Sequence, residues 1–582
     1  MMNIKSTLFS VILLASPVAA APIQWQPWSE DLFAQAQREH KLVILDLEAV
    51  WCHWCHVMEE KTYSDAHVQQ LIGSGYIAVR VDQDSRPDLS NRYEDYGWPA
   101  TIVFDSKGQE LAKRSGFIPP GPLASMLDAF MKDPTPGPSG GADDNYAASN
   151  ESTLAPGLKK EMEQSFFDTY DPTFGGWGDV HKFLDPDLIE YAMALASQGN
   201  TQAQTMARQT LDANLALIDP AWGGVYQYST DGRWDVPHFE KIMYYQANDL
   251  RMYAQAYALW KKPSDLKAAE DIHRFLTGFL LSPEGAFYTS QDADLIQGEH
   301  SAAYFKKSDA ARRKLGIPKI DQHIYSRENG WAIEALTALY SVTGDKATLQ
   351  QAQKAADSLL QNRTLENGGF RHDEKDSAGP YLADTLAMAR AFLSLYAVTA
   401  DRSWLAKSQA SADYIIANFQ NADGGFITSR STTAGLKPKP QRDENASAAR
   451  YFNLLNHYTG TESYRKMAEH AMQLLSNPSM ATRLPTASVL MTDAELSSDP
   501  MHITVLGDKK NSLTQQLFST ALSKYSLTYR RIEVWDRAEG PLPNKDVQYP
   551  ELDQPAAFVC ADGRCSLPLM TVEKLKAKLK IQ

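Results

Sequence analysis

Positive charge is scarce in this chain: 57 Lys and Arg stand against 71 Asp and Glu, a formal net charge of −14. That balance excludes a nucleic-acid partner and attraction to an anionic membrane surface as organising functions. Long apolar runs are scarce too. Beyond the first twenty residues no stretch reads as long and apolar enough to cross a bilayer, so no membrane span is expected. Cysteine is the rarest of all, with 4 in 582 residues. Two of them sit three apart in Trp51-Cys52-His53-Trp54-Cys55-His56, and Cys560 and Cys565 sit five apart near the other end.

The first twenty residues carry Lys5, then an apolar stretch from Leu8 to Ala15, then Val18-Ala19-Ala20. This reads as a secretory signal peptide cut near Ala20, because a cut after Ala21 would place Pro22 directly behind the bond. No cysteine follows the cut, so a bacterial lipid anchor is not expected. The expected location is an oxidising space, periplasmic or secreted, where the four cysteines can pair.

Cys52 and Cys55 have the spacing that lets two thiols close a small ring. Leu42 to Leu47 reads as a buried strand, and Val57 to Ile72 carries apolar residues at helical spacing. Cys52 therefore falls where a strand ends and a helix begins, a place that stabilises a thiolate. A metal site is disfavoured, because Cys52, His53, Cys55 and His56 cannot all face one ion from a helix. The flanks resemble a thioredoxin. Asp46 corresponds to its buried acid, and Gly97-Trp98-Pro99-Ala100-Thr101 to its cis-proline loop. A turn at Ser106-Lys107-Gly108, Gly116 and a last helix, Leu123 to Met131, complete the pattern. The resemblance implies Cys52 as the exposed attacking thiolate and Cys55 as the resolving thiol. It implies a proton shuttle at Asp46 and a substrate groove shaped by Pro99, which also keeps metal off the pair. His53 and Trp54 would tune the couple, a protonated His53 making it more oxidising. The disulfide itself is the redox group, and no cofactor or metal is expected.

With 43% hydrophobic content the chain has core for two or three domains. Residues 1–20 are the signal segment and 21–132 the thioredoxin-like unit. Residues 133–152 form a linker that opens Asp133-Pro134-Thr135-Pro136-Gly137-Pro138-Ser139-Gly140-Gly141. In 153–498 short turns recur at Gly175-Gly176-Trp177, Gly223-Gly224-Val225-Tyr226, Gly285-Ala286-Phe287-Tyr288, Gly368-Gly369-Phe370 and Gly424-Gly425-Phe426. Between them lie paired amphipathic helices, among them one from Phe239 to Trp260, about twelve helices in all. That period specifies a closed α/α toroid of six hairpins, with an open solenoid as the alternative.

The combination resembles the spermatogenesis-associated thioredoxin-like family of the YyaL type, in which a thioredoxin-like domain is fused to a six-hairpin glycosidase or N-acylglucosamine 2-epimerase-like barrel. The residues carrying the likeness are Cys52 to Glu59, Val81 to Asp88 and Gly97-Trp98-Pro99. In the barrel they are Arg233 to Lys241, Asp292-Ala293-Asp294 and Tyr381 to Asp384. Tyr244-Tyr245-Gln246, Gln291, His181 to Leu184 and Glu328-Asn329-Gly330 depart from the family pattern. Asp235, His238, Glu240, Asp292 and Asp294 are the candidate toroid pocket, where a carbohydrate enzyme would place paired carboxylates or bases. His181, His238 and His372 could supply a base pair. The competing reading has these groups capping helices and pairing with Arg233 and Lys241.

Residues 499–582 read as a small α/β unit. Its Cys560 and Cys565 flank an Asp-Gly turn and can join across a hairpin, as a staple or as a relay for the first pair. The expected function is a thiol–disulfide oxidoreductase serving protein clients and an unidentified redox partner, with a sugar ligand in the toroid as a further partner. The alternatives are a carbohydrate-active toroid with a regulatory redox domain, and a non-catalytic scaffold binding glycan or protein.

Overall fold

The computed structural model describes residues 21–93, 97–139, 147–376, 378–430, 435–524, 529–561 and 563–580. The signal segment with its cleavage point, Gly140 and Gly141 of the linker, and Asp562 lie outside the described residues.

The first unit runs α1 (Leu32–Glu39), β1 (Leu42–Glu48), α2 (His53–Met58), α3 (Ala66–Gly75), β2 (Tyr76–Asp82), α4 (Pro87–Tyr93), β3 (Ala100–Phe104), β4 (Glu110–Ser115) and α5 (Pro120–Lys132). The single helix expected from Val57 to Ile72 is broken by a wider turn at Glu59–Tyr63, and Asp65 caps a fresh start by accepting from His67 and Val68 N–H groups. The sheet order is β2-β1-β3-β4, with β1 parallel to β2 and antiparallel to β3. Its β1 is buried along Val43 to Leu47, which is why the run has no polar alternation apart from Asp46.

The middle of the chain is a closed double ring. Its helices are α6 (Pro156–Asp168), α7 (Pro186–Ser197), α8 (Thr201–Asn214), α9 (Met243–Trp260), α10 (Pro263–Phe275), α13 (Ser326–Thr343), α14 (Lys346–Asn362), α15 (Leu382–Thr399), α16 (Arg402–Phe419), α17 (Arg442–Thr459), α18 (Glu462–Leu475) and α20 (Ala487–Leu496). Short α11 (Ala302–Phe305), α12 (Asp309–Leu315) and α19 (Pro478–Ala481) lie in connections. Inner helices touch in the cycle α7, α9, α13, α15, α17, α20 and back to α7, and each packs on one outer helix. The sixth hairpin joins α6 to α20, the two ends of the ring. This is the toroid expected, and the contact of α20 with α7 excludes an open solenoid.

Local chemistry repeats around the ring. Four inner helices are 18 residues long and end on a left-handed residue: Lys261, Gly344, Ala400 and Gly460. Asp345 and Asp401 cap the outer helices that follow at once. At the other end, the fourth residue of the inner helix clamps the Gly-rich turn. Gln246 accepts from Val225 N, Asn329 from Phe287 N, Thr385 from Phe370 N and Asn445 from Phe426 N. A Cβ on Gly224 would meet Phe275 Cγ at 2.6 Å, which explains the second glycine there.

Two expectations need correction. The helix expected from Phe239 starts at Met243, because Lys241–Ile242 (β7) is drawn into a small antiparallel sheet with Ser290–Gln291 (β8) and Ile320–Asp321 (β9); Tyr228–Ser229 (β5) and Pro237–His238 (β6) pair beside it. And α15 is long and apolar enough to cross a membrane by length and composition, although none was expected. Its apolarity is that of a ring helix buried on almost all sides.

The last unit has β10 (Met501–Leu506), α21 (Ser512–Leu522), β11 (Arg530–Trp535), β12 (Ala556–Ala561), β13 (Arg564–Cys565) and α22 (Val572–Leu579). Its sheet order, β11-β10-β12-β13, repeats that of the first unit strand for strand, with the same parallel and antiparallel senses. The two units occupy opposite mouths of the ring. The first meets the starts of the inner helices, with His372 on the Asp84 carbonyl and Asn91 on Glu444. The last meets their ends, with Tyr396 on Glu533, Ile532 N–H on Tyr458 and Lys509 on the Ala400 carbonyl.

A redox site seated on the toroid mouth

The turn after β1 delivers Cys52 as the cap of α2, its Sγ accepting the Cys55 N–H at 3.1 Å. Cys52 and Cys55 form a disulfide with Sγ–Sγ 2.11 Å, and Trp98–Pro99 is cis. Asp46 lies buried on β1 and accepts from Arg80 Nε at 2.9 Å, and its second oxygen has no hydrogen-bond partner among the described residues. Burial outweighs the Arg80 charge and pushes its carboxyl up to about 7.

The sulfurs are not on the surface. Cys52 is 3% and Cys55 4% exposed, packed with Ala49, Trp51 and Trp98 against Ile242, Tyr244 and Tyr245 of the ring. The expectation of an exposed attacking sulfur is corrected on this point: the start of α9 covers it. Trp54, between the cysteines, stays 39% exposed, near Phe117 and His238.

The covering ring also supplies the groups that hold the motif. Asp294 receives His53 Nδ1 at 2.8 Å on one oxygen, and His56 Nδ1 at 3.0 Å and Gly298 N–H at 2.9 Å on the other. Burial opposes its charge, yet the two imidazole hydrogen bonds lead in pulling its carboxyl down to about 2. Asp292 lies 3.9 Å from His56 Nε2, and burial pushes it up to about 6. His56 itself is raised: burial works against the imidazolium, and the bond to Asp294 with both Asp charges prevails. Glu240 accepts the His53 N–H at 3.4 Å, and burial raises its carboxyl to about 7. His56, Asp292 and Asp294 bring three potential ligand atoms within 4.8 Å. Three N–H donors already fill the Asp294 oxygens, so the cluster is a hydrogen-bonded clasp.

A second latch lies beside it. Trp51 Nε1 donates to Asp84 at 2.7 Å, and His372 Nε2 donates to the Asp84 carbonyl at 2.6 Å while its Nδ1 meets Asp384 at 2.8 Å. Both partners of the ring are acceptors, so it is held as imidazolium. Burial opposes this, but Asp384 carries the His372 pKa up to about 9.

Beneath the redox unit the ring encloses a chamber of about 400 Å³, roofed by Trp51, Asp84, Asn91 and Trp98 and walled by inner helices. The five residues of the candidate toroid pocket lie elsewhere, since none of them lines this chamber. Glu240, Asp292 and Asp294 face the redox helix, turned there by the short β7-β8-β9 sheet. Asp235 is exposed and paired with Arg233. His238 stacks on Tyr228 at 4.4 Å, and burial depresses it to about 4. His181 touches the same Tyr228, whereas His372 serves the latch, so the three His make no base pair in the chamber. Lys241 pairs with Asp219, not with any of the five.

The chamber's own charged residues were not anticipated. Arg251, Glu334, Arg390 and Arg450 each stand at the ninth position of an 18-residue inner helix. They form a belt: Arg251 and Arg450 on Glu190, Arg390 on Glu334. Burial opposes the Glu190 charge, but the two guanidinium groups take its carboxyl down to about 2. The signal was available, as a charge recurring at one register of four inner helices of equal length.

Residues 10–128 match a family model described as Thioredox_DsbH, protein of unknown function, DUF255. Spermatogenesis-associated protein 20 of Rattus norvegicus is 26% identical over 47% of this chain and 39% of its own length, so the chain spans about two fifths of that relative. An uncharacterized protein of Caenorhabditis elegans, B0495.5, is 21% identical over 95% of this chain and 94% of its own. The chain groups with the spermatogenesis-associated thioredoxin-like family. Disulfide bond reductase DsbH of Chlamydia pneumoniae is 28% identical over 19% of this chain, covering 71% of its own.

Proposed function

We propose that this protein is a thiol–disulfide oxidoreductase of the periplasm or extracellular space, working through the Cys52–Cys55 couple. The observation that carries this reading is the disulfide itself: it caps α2 directly after β1, beside the Trp98–Pro99 loop, in a thioredoxin strand order. The likeness to a disulfide bond reductase supports the same chemistry. In the exchange a client thiolate attacks one sulfur and the Cys52–Cys55 bond breaks. The client's second thiol then releases the mixed disulfide, so two electrons and two protons pass to the protein. Asp46, with a carboxyl near 7, is suited to give the Cys55 sulfur its proton. Because the ring covers the couple, protein clients reach it after the redox unit lifts from Ile242 and Tyr244. The test is insulin reduction by the full chain against Cys52→Ala and Cys55→Ala. Loss in both supports the reading; undiminished turnover in either sinks it.

The roofed chamber favours a second role for the ring, binding of a small polar ligand such as a sugar among Trp331, Tyr244 and the Arg–Glu belt. Calorimetry with mono- and disaccharides on wild type and Trp331→Ala tests it, and heat that is absent or unchanged by the substitution rejects it.

A further inference from the structure

We infer that Glu240 of the ring and Cys52 of the redox unit hold a single proton between them when the Cys52–Cys55 pair is reduced, so that the oxidoreductase proposed above has a redox site built from two domains.

The geometry comes first. Glu240 is 3% exposed; one carboxyl oxygen accepts the N–H of His53 at 3.4 Å, and the other has no hydrogen-bond partner among the described residues. That N–H follows Cys52 in the chain, two bonds from its Cα. Covalent geometry alone keeps the Glu240 carboxyl within about 8 Å of Cys52 Sγ. The groups facing Glu240 are His53, Asp294, Tyr228 and Tyr245; burial leads in opposing its charge, the neighbouring His53 works against that and Asp294 adds to it. The His53 ring is engaged by Asp294, and Lys241, the next residue, turns away to Asp219 at 2.7 Å. Asp46 is separately held by Arg80.

A thiolate and a carboxylate this close, both out of water, oppose each other's ionisation by roughly tenfold to a hundredfold in the proton equilibrium. Only one ionises near neutral pH, and the proton comes off the pair rather than off either group. When a client dithiol reduces the disulfide, the Sγ–Sγ bond breaks and a client disulfide forms. Of the two protons delivered, Cys55 keeps one as a thiol. The second sits on Glu240 while Cys52 is a thiolate, or on Cys52 while Glu240 is a carboxylate. Re-oxidation returns both protons to the thiolates of the departing client. Glu240 thus acts on the attacking sulfur as a positioning residue for its charge.

The experiment follows the ultraviolet thiolate absorbance of the reduced full-length protein against pH. Wild type should ionise Cys52 in two steps, and Glu240→Gln in one, with the thiolate fraction at pH 8 raised by up to about tenfold. Arg92→Ala removes a contact to the Lys437 carbonyl elsewhere in the same interface and should keep the two-step curve. A single step in wild type, or the same curve in Glu240→Gln, overturns the inference. So does an Arg92→Ala curve that copies Glu240→Gln, which would make the effect one of loosened docking. Should Glu240→Gln not fold, infrared difference spectra of wild type decide: reduction above pH 7 should create a protonated carboxyl band, and its absence overturns the inference. Failure of the oxidoreductase reading is separately visible, as a Cys52–Cys55 pair that reduces and titrates yet turns over no client disulfide.

Discussion

The two ends of this chain fold into the same four-stranded order and use it differently. In the first unit the cysteines stand after the first strand, at the start of a helix, and the ring closes over them. In the last unit the corresponding turn reads Gly507-Asp508-Lys509, and the cysteines have moved to the β12–β13 hairpin, where Cys560 and Cys565 are directly opposite and joined at Cα–Cα 4.0 Å. Pro555 precedes β12 as Pro99 precedes β3, but among the described residues only the Trp98–Pro99, Gly379–Pro380 and Leu484–Pro485 bonds are cis. A shared fold places strands; where the sulfur sits on it decides the chemistry. The opposite mouths are separated by inner helices of 18 residues, about 27 Å at 1.5 Å per residue. That separation works against the relay between the two disulfides.

The comparison breaks most sharply on the cysteines. Cys52→Ala should abolish disulfide exchange, whereas Cys560→Ala with Cys565→Ala should leave it intact. Closing so short a loop should stabilise by no more than about 3 kcal/mol, read from denaturant curves. Equal losses of activity would erase the distinction drawn between the units.

Next in size is the clasp. Asp294→Asn withdraws a buried carboxylate from two imidazoles and should cost roughly 3–5 kcal/mol, seen as a lower urea midpoint and faster proteolysis between the first unit and the ring. Asp235→Asn, in the other acidic motif of the ring but exposed, should leave the urea midpoint essentially unchanged. A similar loss from both would contradict the burial argument.

The pH dependence should carry the mark of the first mouth. His372 has its folded pKa raised to about 9, so its contribution is whole below its unfolded value of about 6.5 and is lost as pH rises to about 9. Asp46 and Glu240 are raised to about 7. They keep protons that the unfolded chain has released, so stability also falls as pH rises from about 4 to 7. Urea unfolding at pH 5, 7 and 9 should give a monotonic decline; greater stability at pH 7 or 9 than at pH 5 would refute it. A smaller loss than that of the clasp is expected at a repeat clamp. Asn445→Ala leaves the Phe426 N–H and C=O unmet and should cost about 1–3 kcal/mol, without altering exchange.

Much of this was legible in the sequence. The strand, the CxxC and the Trp-Pro loop are local, and the ring declared itself through recurring Gly-rich turns between paired helices, although their spacing is irregular. What escaped was the partnership between them. Glu240 and Asp294 meet His53 across 187 and 241 residues, and the two-residue strands that aim them leave no periodic trace. The motif marked those residues as special, and a sugar pocket was the reading their chemistry invited. The ninth-position charges were missed for another reason: within one helix each is one charged residue among others, and only superposing four of them shows a belt.

The ring closes by joining its own first and last helices, α6 and α20, with Asp493 accepting from Leu154 and Lys159. A chain made from its N-terminus therefore completes the redox unit before residue 133, but the seat that buries the sulfurs exists only once residue 496 has emerged. Through the synthesis of more than half the protein, the CxxC pair stands uncovered beside an unfinished and apolar partner. The couple is thus born accessible, able to meet oxidants and other thiols, and becomes sheltered as the last hairpin docks.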